Sequence, residues 1–219
     1  MKQTIDWHAY WTREKPGFHE GRVNSYLSEF LPRFDLRPGD CVFVPLCGKA
    51  HDLHWLWSQG LEVIGVELSE VAVQAFFREF DIPHQVDRDG DLNVYSAAGL
   101  TLYQGDFLHM RAEHLDACKL VYDRASLVAI ESFNREAYRS HLLDLLPAGT
   151  PMLVVTLEYD QALMQGPPFS VPLDEIKELY SHHYSMEVLR SNEQIEERAK
   201  WRESGLTSFK EIALRLIPR

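Results

Sequence analysis

An acidic residue and a glycine loop lie in this sequence where a nucleoside could bind. Glu67 ends the apolar run LEVIGVEL and stands 19 positions after Gly48, which closes an earlier apolar run, CVFVPL, over 41–46. In open α/β sheets a nucleotide lies over the loop after the first strand, and an acid about 20 residues further on binds the ribose hydroxyls. Glu67 is therefore a candidate ribose ligand, and the alternative is a solvated acid at a strand end.

The loop PLCGK over 45–49 lacks the features that bind phosphate groups. A P-loop needs Gly where Phe43 stands and Ser or Thr where Ala50 stands. A dinucleotide site needs three closely spaced glycines, whereas this loop has one. A nucleoside ligand without phosphates fits better. S-adenosylmethionine, an adenosine joined to a methionine sulfonium, is such a ligand, and its positive charge suits an acidic protein with aromatic rings near the site.

Charge and hydropathy exclude several other classes of partner. The net charge is −11 and the basic residues are scattered, so we expect neither nucleic acid nor an anionic membrane surface as a partner. The first residues contain Asp6 and no apolar stretch typical of a secretory signal, and no run reaches the ~18 apolar residues of a membrane span. We expect a cytoplasmic protein that acts on a small molecule.

Cysteine and histidine spacing gives no sign of a metal site. The sequence has three cysteines, Cys41, Cys47 and Cys118, without the paired close spacing of a zinc site, so we expect reduced thiols in the core. His51 and His54 stand three apart on a predicted helix and could share a metal, but a third ligand is not evident. We interpret both as packing or surface residues and expect no metal.

Strand-like and helix-like apolar patterns alternate along the chain, which is typical of a parallel sheet with helices on both faces. Five strand-then-helix units and a terminal strand pair predict a doubly wound, seven-stranded, mostly parallel α/β sheet. We expect one domain over 1–219, with an N-terminal helical extension over 1–32 and a sheet core over 38–219. Strands are predicted at 41–46, 61–68, 100–103, 119–123, 151–159, 186–190 and 209–217, with a hairpin that adds 92–95, and helices at 23–31, 52–58, from a cap at Ser69 to Phe80, and around 138–146.

Six motifs spread along the chain complete a recognisable pattern. Together they resemble the thiopurine S-methyltransferase family, and the resemblance runs nearly end to end. The motifs are GFH (17–19), VFVPLCGKA (42–50), GVELSE (65–70), YDRASLVAI (122–130), LEYD (157–160) and GPPFSVP (166–172).

The resemblance implies a Rossmann-like class I methyltransferase fold, S-adenosylmethionine as methyl donor, and a small aromatic or heterocyclic thiol such as a thiopurine as acceptor. Nothing in the sequence demands more than a monomer. Arg124 would be both a donor ligand and a catalytic group that favours the thiolate of the acceptor. Acceptor contacts carry over to Phe18 and Arg198. The donor-binding residues carry over as Trp11, Leu46, Glu67 on the ribose, Asp106 and Phe107 near the adenine, and Arg124.

Plainer interpretations of these residues remain open. The aromatic side chains Trp7, Trp11 and Phe18 could only dock the N-terminal extension on the core. Arg124 could form an ion pair with Asp123 or Glu158. The segment 166–169 could be a rigid turn or a wall of the acceptor pocket.

We expect the aromatic-rich N-terminal segment to be a lid over the site, with Gly17 as its hinge.

Two other functions remain open at this level. A related methyltransferase could act on halide, thiocyanate or oxidised selenium and tellurium species and would use the same donor site. A protein that binds an adenosine ligand without turnover is the third hypothesis, and the whole set of motifs argues against it.

Overall fold

The structure is a computed structural model that describes residues 5–12 and 20–219, with the backbone alone for Lys200. Within this part of the chain nine strands form one sheet in the order β3-β4-β5-β2-β1-β6-β7-β9-β8. The strands are β1 Cys41–Val44, β2 Glu62–Glu67, β3 Gln85–Asp89, β4 Leu92–Ala97, β5 Leu100–Gln104, β6 Cys118–Arg124, β7 Met152–Tyr159, β8 Tyr184–Glu193 and β9 Phe209–Pro218. The α-helices are α1 Trp7–Trp11, α2 Ser25–Phe30, α3 His51–Ser58, α4 Glu70–Glu79, α5 Ser132–Leu145, α6 Leu173–Tyr180 and α7 Ala199–Glu203.

The central strands of the sheet are parallel, and the direction in which the chain adds strands reverses at β1. Strands β5, β2, β1, β6 and β7 run parallel to one another. All four residues of β1 are buried, because helices cover both faces of the sheet, and this explains the unbroken apolar run CVFV. From β1 the chain goes first to β2 on one side and later to β6 on the other. A crevice therefore opens at the carboxyl ends of β1 and β6.

Two layers of helices enclose the sheet. On one face α2, α3 and α4 contribute Leu27, Leu53 and Phe76 to one apolar cluster. On the other face α5 and α6 contribute Tyr138 and Ile176 to a second cluster. Each helix presents one apolar stripe to the sheet, which is the amphipathic pattern seen in the sequence. Within the described residues no helix combines the length and the hydropathy needed to cross a membrane.

The fold class agrees with the sequence prediction, but the predicted count of seven strands is wrong. The edge strand β3, QVDRD, has four exposed residues and pairs only with β4, so its sequence lacks the apolar pattern of a buried strand. The hairpin of β4 and β5 was predicted, and it extends the sheet together with β3. The terminal strand β9 is antiparallel to β7 and β8, as its alternating pattern predicts.

Three local predictions need correction. Helix α6 was not predicted, although its apolar residues Ile176, Leu179 and Tyr180 are buried. The helix predicted over 23–31 is shorter, because α2 ends at Phe30 and a 3₁₀ turn over Leu31–Phe34, with Pro32 in its first turn, follows it. Ser69 precedes α4 as expected, but its hydroxyl is buried and has no hydrogen-bond partner among the described residues.

Candidate functional site

A cleft of about 1130 Å³, part of it open to solvent, lies at the carboxyl ends of the central strands. Loops that follow β1, β2, β5 and β6 form its floor, and α1 with residues 20–22 forms one wall. This is the crevice that the strand order predicts. All the predicted donor-binding residues line the cleft: Trp11, Leu46, Glu67, Asp106, Phe107 and Arg124.

Glu67 is a buried carboxylate held at the end of β2 by backbone amides. It is 6% exposed. Its Oε2 accepts a hydrogen bond from the Gly48 amide at 2.9 Å, and its Oε1 accepts one from the Ser69 amide at 2.8 Å. Burial raises the pKa of Glu67 from 4.5 to about 6, although these hydrogen bonds lower it. Its orientation is therefore fixed, and a carboxylate has lone pairs for further donors such as hydroxyl groups.

Trp11 on α1 covers the loop after β1 and reaches Glu67. Its indole side chain forms a hydrogen bond to the Glu67 carboxylate. Its ring lies so close to Gly48 that a Cβ at that position would stand 2.6 Å from the ring atom Cζ2. Gly48 also has a φ of +56°, so glycine is needed there for both the turn and the close approach of the ring. The short helix α1 is thus in contact with the candidate site.

The loops after β1 and β6 are held in strained and cross-linked conformations. Leu46 and Ala125 have φ values of +44° and +62°, which residues other than glycine rarely adopt. The Ser126 hydroxyl donates a hydrogen bond to the carbonyl of Pro45 at 2.7 Å and joins the two loops. Strained residues of this kind concentrate at functional sites.

The buried acid Asp123 holds the loop after β6 in place. Asp123 on β6 accepts a hydrogen bond from the Leu127 amide at 3.1 Å and one from the Tyr138 hydroxyl at 2.8 Å. Asp123 is 1% exposed, and burial raises its pKa. This contact holds the turn after β6, and with it the direction in which Arg124 leaves the strand.

Asp106 and Phe107 follow β5 on the far side of Glu67. Phe107 is 2% exposed, and its ring packs against Tyr138 and His141. The Asp106 side chain accepts a hydrogen bond from the Leu108 amide at 2.9 Å and so caps the short 3₁₀ helix that follows. This contact fixes the orientation of the Asp106 side chain at the edge of the cleft.

Arg124 forms an ion pair that the sequence analysis did not consider. Its Nη2 lies 2.6 Å from Oε1 of Glu20, which also lines the cleft. Two other partners for Arg124 were considered from the sequence. Of these, Asp123 accepts hydrogen bonds from the Leu127 amide and the Tyr138 hydroxyl, and Glu158 forms an ion pair with Lys210 at 2.8 Å. The guanidinium therefore faces the cleft.

A second buried acid, Asp52 on α3, stands behind this pair. It is 2% exposed and accepts hydrogen bonds from the Asn24 amide at 2.7 Å and the Tyr122 hydroxyl at 3.0 Å. Burial raises the pKa of Asp52, while the Asn24 amide and the nearby Arg124 charge lower it. Neither Asp52 nor Glu20 is predicted from the sequence as a site residue. Asp52 could have been noticed because it is an acid among the apolar positions of α3, whereas no pattern in the sequence distinguishes Glu20.

The remaining predicted residues divide into three groups. Phe18 lies outside the described residues. Arg198 is not among the described residues that line the cleft, and it lies over the rings of Trp201 and Phe209. Pro167 and Pro168, from the segment predicted as a turn or a pocket wall, do line the cleft.

The histidines and cysteines have packing contacts. The imidazole of His54 stacks on Phe80 with ring centroids 4.3 Å apart, and His51 Nε2 lies 3.4 Å from Oε1 of Glu79. Cys41, Cys47 and Cys118 are free and buried.

One acidic cluster within the described residues has metal-ligand spacing, but a guanidinium already binds it. Asp89, Glu113 and His114 lie together near the edge strand β3. Arg111 donates hydrogen bonds to both oxygens of Asp89 at 2.8 Å and to Glu113 at 2.8 Å. The cluster is therefore an ion-pair network with its own cation.

The order of the strands determines the order in which the candidate residues lie along the floor of the cleft. Phe107 follows β5, Glu67 ends β2, Leu46 follows β1 and Arg124 ends β6, and these four strands are neighbours in that order. With about 4.8 Å between strands, Glu67 and Arg124 stand about 10 Å apart across the sheet. A buried aromatic residue, a buried acid, a strained loop and a cation thus follow one another along the floor.

Comparisons with known proteins point to one family. A family model described as thiopurine S-methyltransferase matches residues 2–217. A thiopurine S-methyltransferase of Pseudomonas aeruginosa (strain UCBPP-PA14) is 44% identical over 213 residues, which cover 97% of each chain. One from Nitrosospira multiformis is 40% identical over 215 residues, again 97% of each chain.

Solved structures with low sequence identity have the same fold. A methyltransferase from Anabaena variabilis described as dependent on S-adenosylmethionine (SAM) aligns with a TM-score of 0.65 at 16% identity, over 97% of this chain and 93% of that one. Phosphoethanolamine N-methyltransferase 2 of Haemonchus contortus, in complex with S-adenosyl-L-methionine, aligns with a TM-score of 0.70 at 14% identity, over 99% of this chain and 60% of that one.

Proposed function

Because the chain belongs to the thiopurine S-methyltransferase family, we propose that it methylates the sulfur of small aromatic or heterocyclic thiols, such as thiopurines, with S-adenosylmethionine as donor. The observation that carries the proposal is the buried carboxylate of Glu67, held by two backbone amides at the end of β2. A buried acid in this position is suited to bind a ribose diol.

The chemistry of the residues that line the cleft suits the donor. Phe107 borders the part of the cleft proposed for the adenine, and Glu67 supplies acceptors for the ribose hydroxyls. The loop at Leu46 has no phosphate cradle, which agrees with a ligand that has no phosphate. Bound there, S-adenosylmethionine supplies an electrophilic methyl group on a sulfonium. Asp52 and Glu67 give this wall of the cleft a negative character that suits a cationic sulfonium.

The residues at the other end of the cleft act on the acceptor. Arg124 places a guanidinium where the electron density of a thiol or thione would lie, and it favours the thiolate electrostatically. Positioning of the sulfur can account for roughly 7 to 11 kcal/mol of the barrier in reactions of this kind. An aromatic thiol ionises readily near neutral pH, so a strong general base is not required. Trp11 and Pro167 border the cleft, and with both reactants bound they would shield the reacting atoms from water.

The experiment is a methylation assay with 6-mercaptopurine, in which the release of S-adenosylhomocysteine is measured. We expect turnover that a chelator leaves unchanged, and a Glu67→Ala variant whose donor affinity falls by about 1 to 3 kcal/mol in calorimetry. Glu62→Ala is the matched control, because Glu62 is an exposed acid at the opposite end of the same strand.

Three outcomes would contradict the proposal. One is a lack of turnover with aromatic thiols. The second is turnover confined to halide, thiocyanate or chalcogen oxyanions. The third is activity lost in chelator and restored by zinc or magnesium. Equal donor affinity in the Glu67→Ala and Glu62→Ala variants would remove Glu67 from the site.

A further inference from the structure

The cation at the acceptor end of the cleft is already neutralised by an acid of the chain itself. From this contact we infer that Glu20 is a specificity-determining residue, which makes the protein prefer uncharged thiol acceptors over acceptors that carry a carboxylate or another fixed anion. The inference rests on the proposed function and deepens it, because it concerns which class of thiol the same site accepts.

The geometry shows a close and sheltered pair. Oε1 of Glu20 lies 2.6 Å from Nη2 of Arg124. The two side chains are 28% and 14% exposed, so water screens their interaction less than it would at an open surface. Both residues line the cleft. An anion that approached this guanidinium would first meet the carboxylate of Glu20.

Other charged groups near Arg124 act in the same direction. Asp52 and Glu211 both interact electrostatically with Arg124, and the Tyr122 hydroxyl faces it as well. Asp52 accepts its hydrogen bonds from Asn24 and Tyr122 rather than from the guanidinium. One cation therefore stands among three acids, of which Glu20 alone is in direct contact with it in the described structure. The guanidinium can balance the charge that develops on the reacting sulfur, but the three acids disfavour an additional fixed anion at this end of the cleft.

An uncharged acceptor avoids this conflict. A thiopurine-like ring with an N–H group can donate to Glu20 while its sulfur lies near Arg124, so both partners of the ion pair keep a hydrogen bond. A fixed anion must either displace Glu20 from Arg124 or remain close to a like charge. Both cost free energy, and replacing Glu20 by a neutral side chain removes both costs.

The test compares 2-mercaptobenzamide with 2-mercaptobenzoate, two thiols of similar shape that differ by one charge. Their affinities are measured by calorimetry on the protein saturated with S-adenosylhomocysteine, and kcat/KM is measured separately. In the Glu20→Gln variant we expect the ratio of amide to carboxylate affinity to fall about tenfold, as expected for removal of one nearby like charge in a partly screened site. Glu20→Asp, which restores the charge, should return the ratio toward its original value.

Glu29→Gln is the matched control. Glu29 also forms an ion pair, with Arg190, but it lies outside the residues that line the cleft. This variant loses the same charge and should leave the ratio unchanged. A ratio that is the same in all four proteins would overturn the inference, as would failure of both thiols to bind. If both thiols bind with the expected ratios but neither is methylated, the proposed function fails while the charge preference of the cleft stands.

Discussion

Replacing Glu67 by glutamine should remove a pH dependence of stability and weaken donor binding, and both effects follow from the burial of one carboxylate. In the folded protein burial raises the pKa of Glu67 to about 6 from an ordinary value of 4.5. A raised carboxyl pKa means that the native state prefers the protonated form. The stabilising contribution of the protonated Glu67 carboxyl group is therefore fully present below pH 4.5 and is lost as the pH rises through 6.

The pKa difference corresponds to about 2 kcal/mol of unfolding free energy. We therefore expect Glu67→Gln to gain about 2 kcal/mol relative to the unsubstituted protein between pH 4 and pH 7.5. Urea unfolding of both proteins at both pH values measures the free energies of unfolding. The difference between the two proteins cancels the titration of groups elsewhere in the chain.

Donor binding should depend on the ionisation of the same carboxylate. The ionised carboxylate is the stronger acceptor for hydroxyl groups, so affinity for S-adenosylmethionine should rise with pH through about 6 in the unsubstituted protein. In Glu67→Gln calorimetry should show an affinity lower by about 1 to 3 kcal/mol at pH 7.5 and independent of pH. Parallel stability curves for the two proteins, together with equal donor affinity, would refute the reasoning.

Three further predictions concern the parts that surround Glu67. Tyr138→Phe removes a hydrogen bond to a buried carboxylate and should lower the free energy of unfolding by about 1 to 3 kcal/mol, which denaturant titration measures; an unchanged midpoint would mean that Asp123 finds another donor. Arg124→Gln should lower kcat/KM for a thiol by about 10²-fold, as loss of a group that stabilises developing charge does, and an unchanged kcat/KM would exclude this role. Deletion of residues 1–20 should leave a folded protein with methyl transfer reduced by about 10²-fold, because the lid no longer positions the reactants, and bound donor should protect this segment from proteolysis in the full chain; a truncated protein with full turnover would show that its aromatic residues only pack.

The central sheet and the position of Glu67 could be predicted from the sequence because they follow from local patterns. The run CVFV is buried on both faces, so every residue of β1 is apolar, and Glu67 breaks the next run where that strand ends. The edge strand β3 could not be found in this way, because water faces most of its side chains and its sequence has no alternation. Nor does a sequence pattern indicate the ion pair of Arg124 with Glu20, which joins distant positions of the chain.

The resemblance to a family supplied what local patterns could not, and it did so unevenly. It placed Trp11 and Phe107 at the cleft, and both line it. It also implied an acceptor contact for Arg198, whose side chain lies over Trp201. That contact depends on how the acceptor end is arranged when a ligand is bound, and it stays a prediction.

The left-handed backbone at Leu46 and Ala125 has a consequence for how this protein could change over time. Each such residue costs of order 1 to 3 kcal/mol, and glycine at either position would remove most of that cost. Glycine would also let the two loops adopt more conformations, so the floor of the cleft would keep its shape less well. Selection for heat resistance alone would therefore favour glycine at Ala125, where only a methyl group is lost, and enrich slower enzymes. Selection for turnover would keep the strained residues and a lower melting temperature.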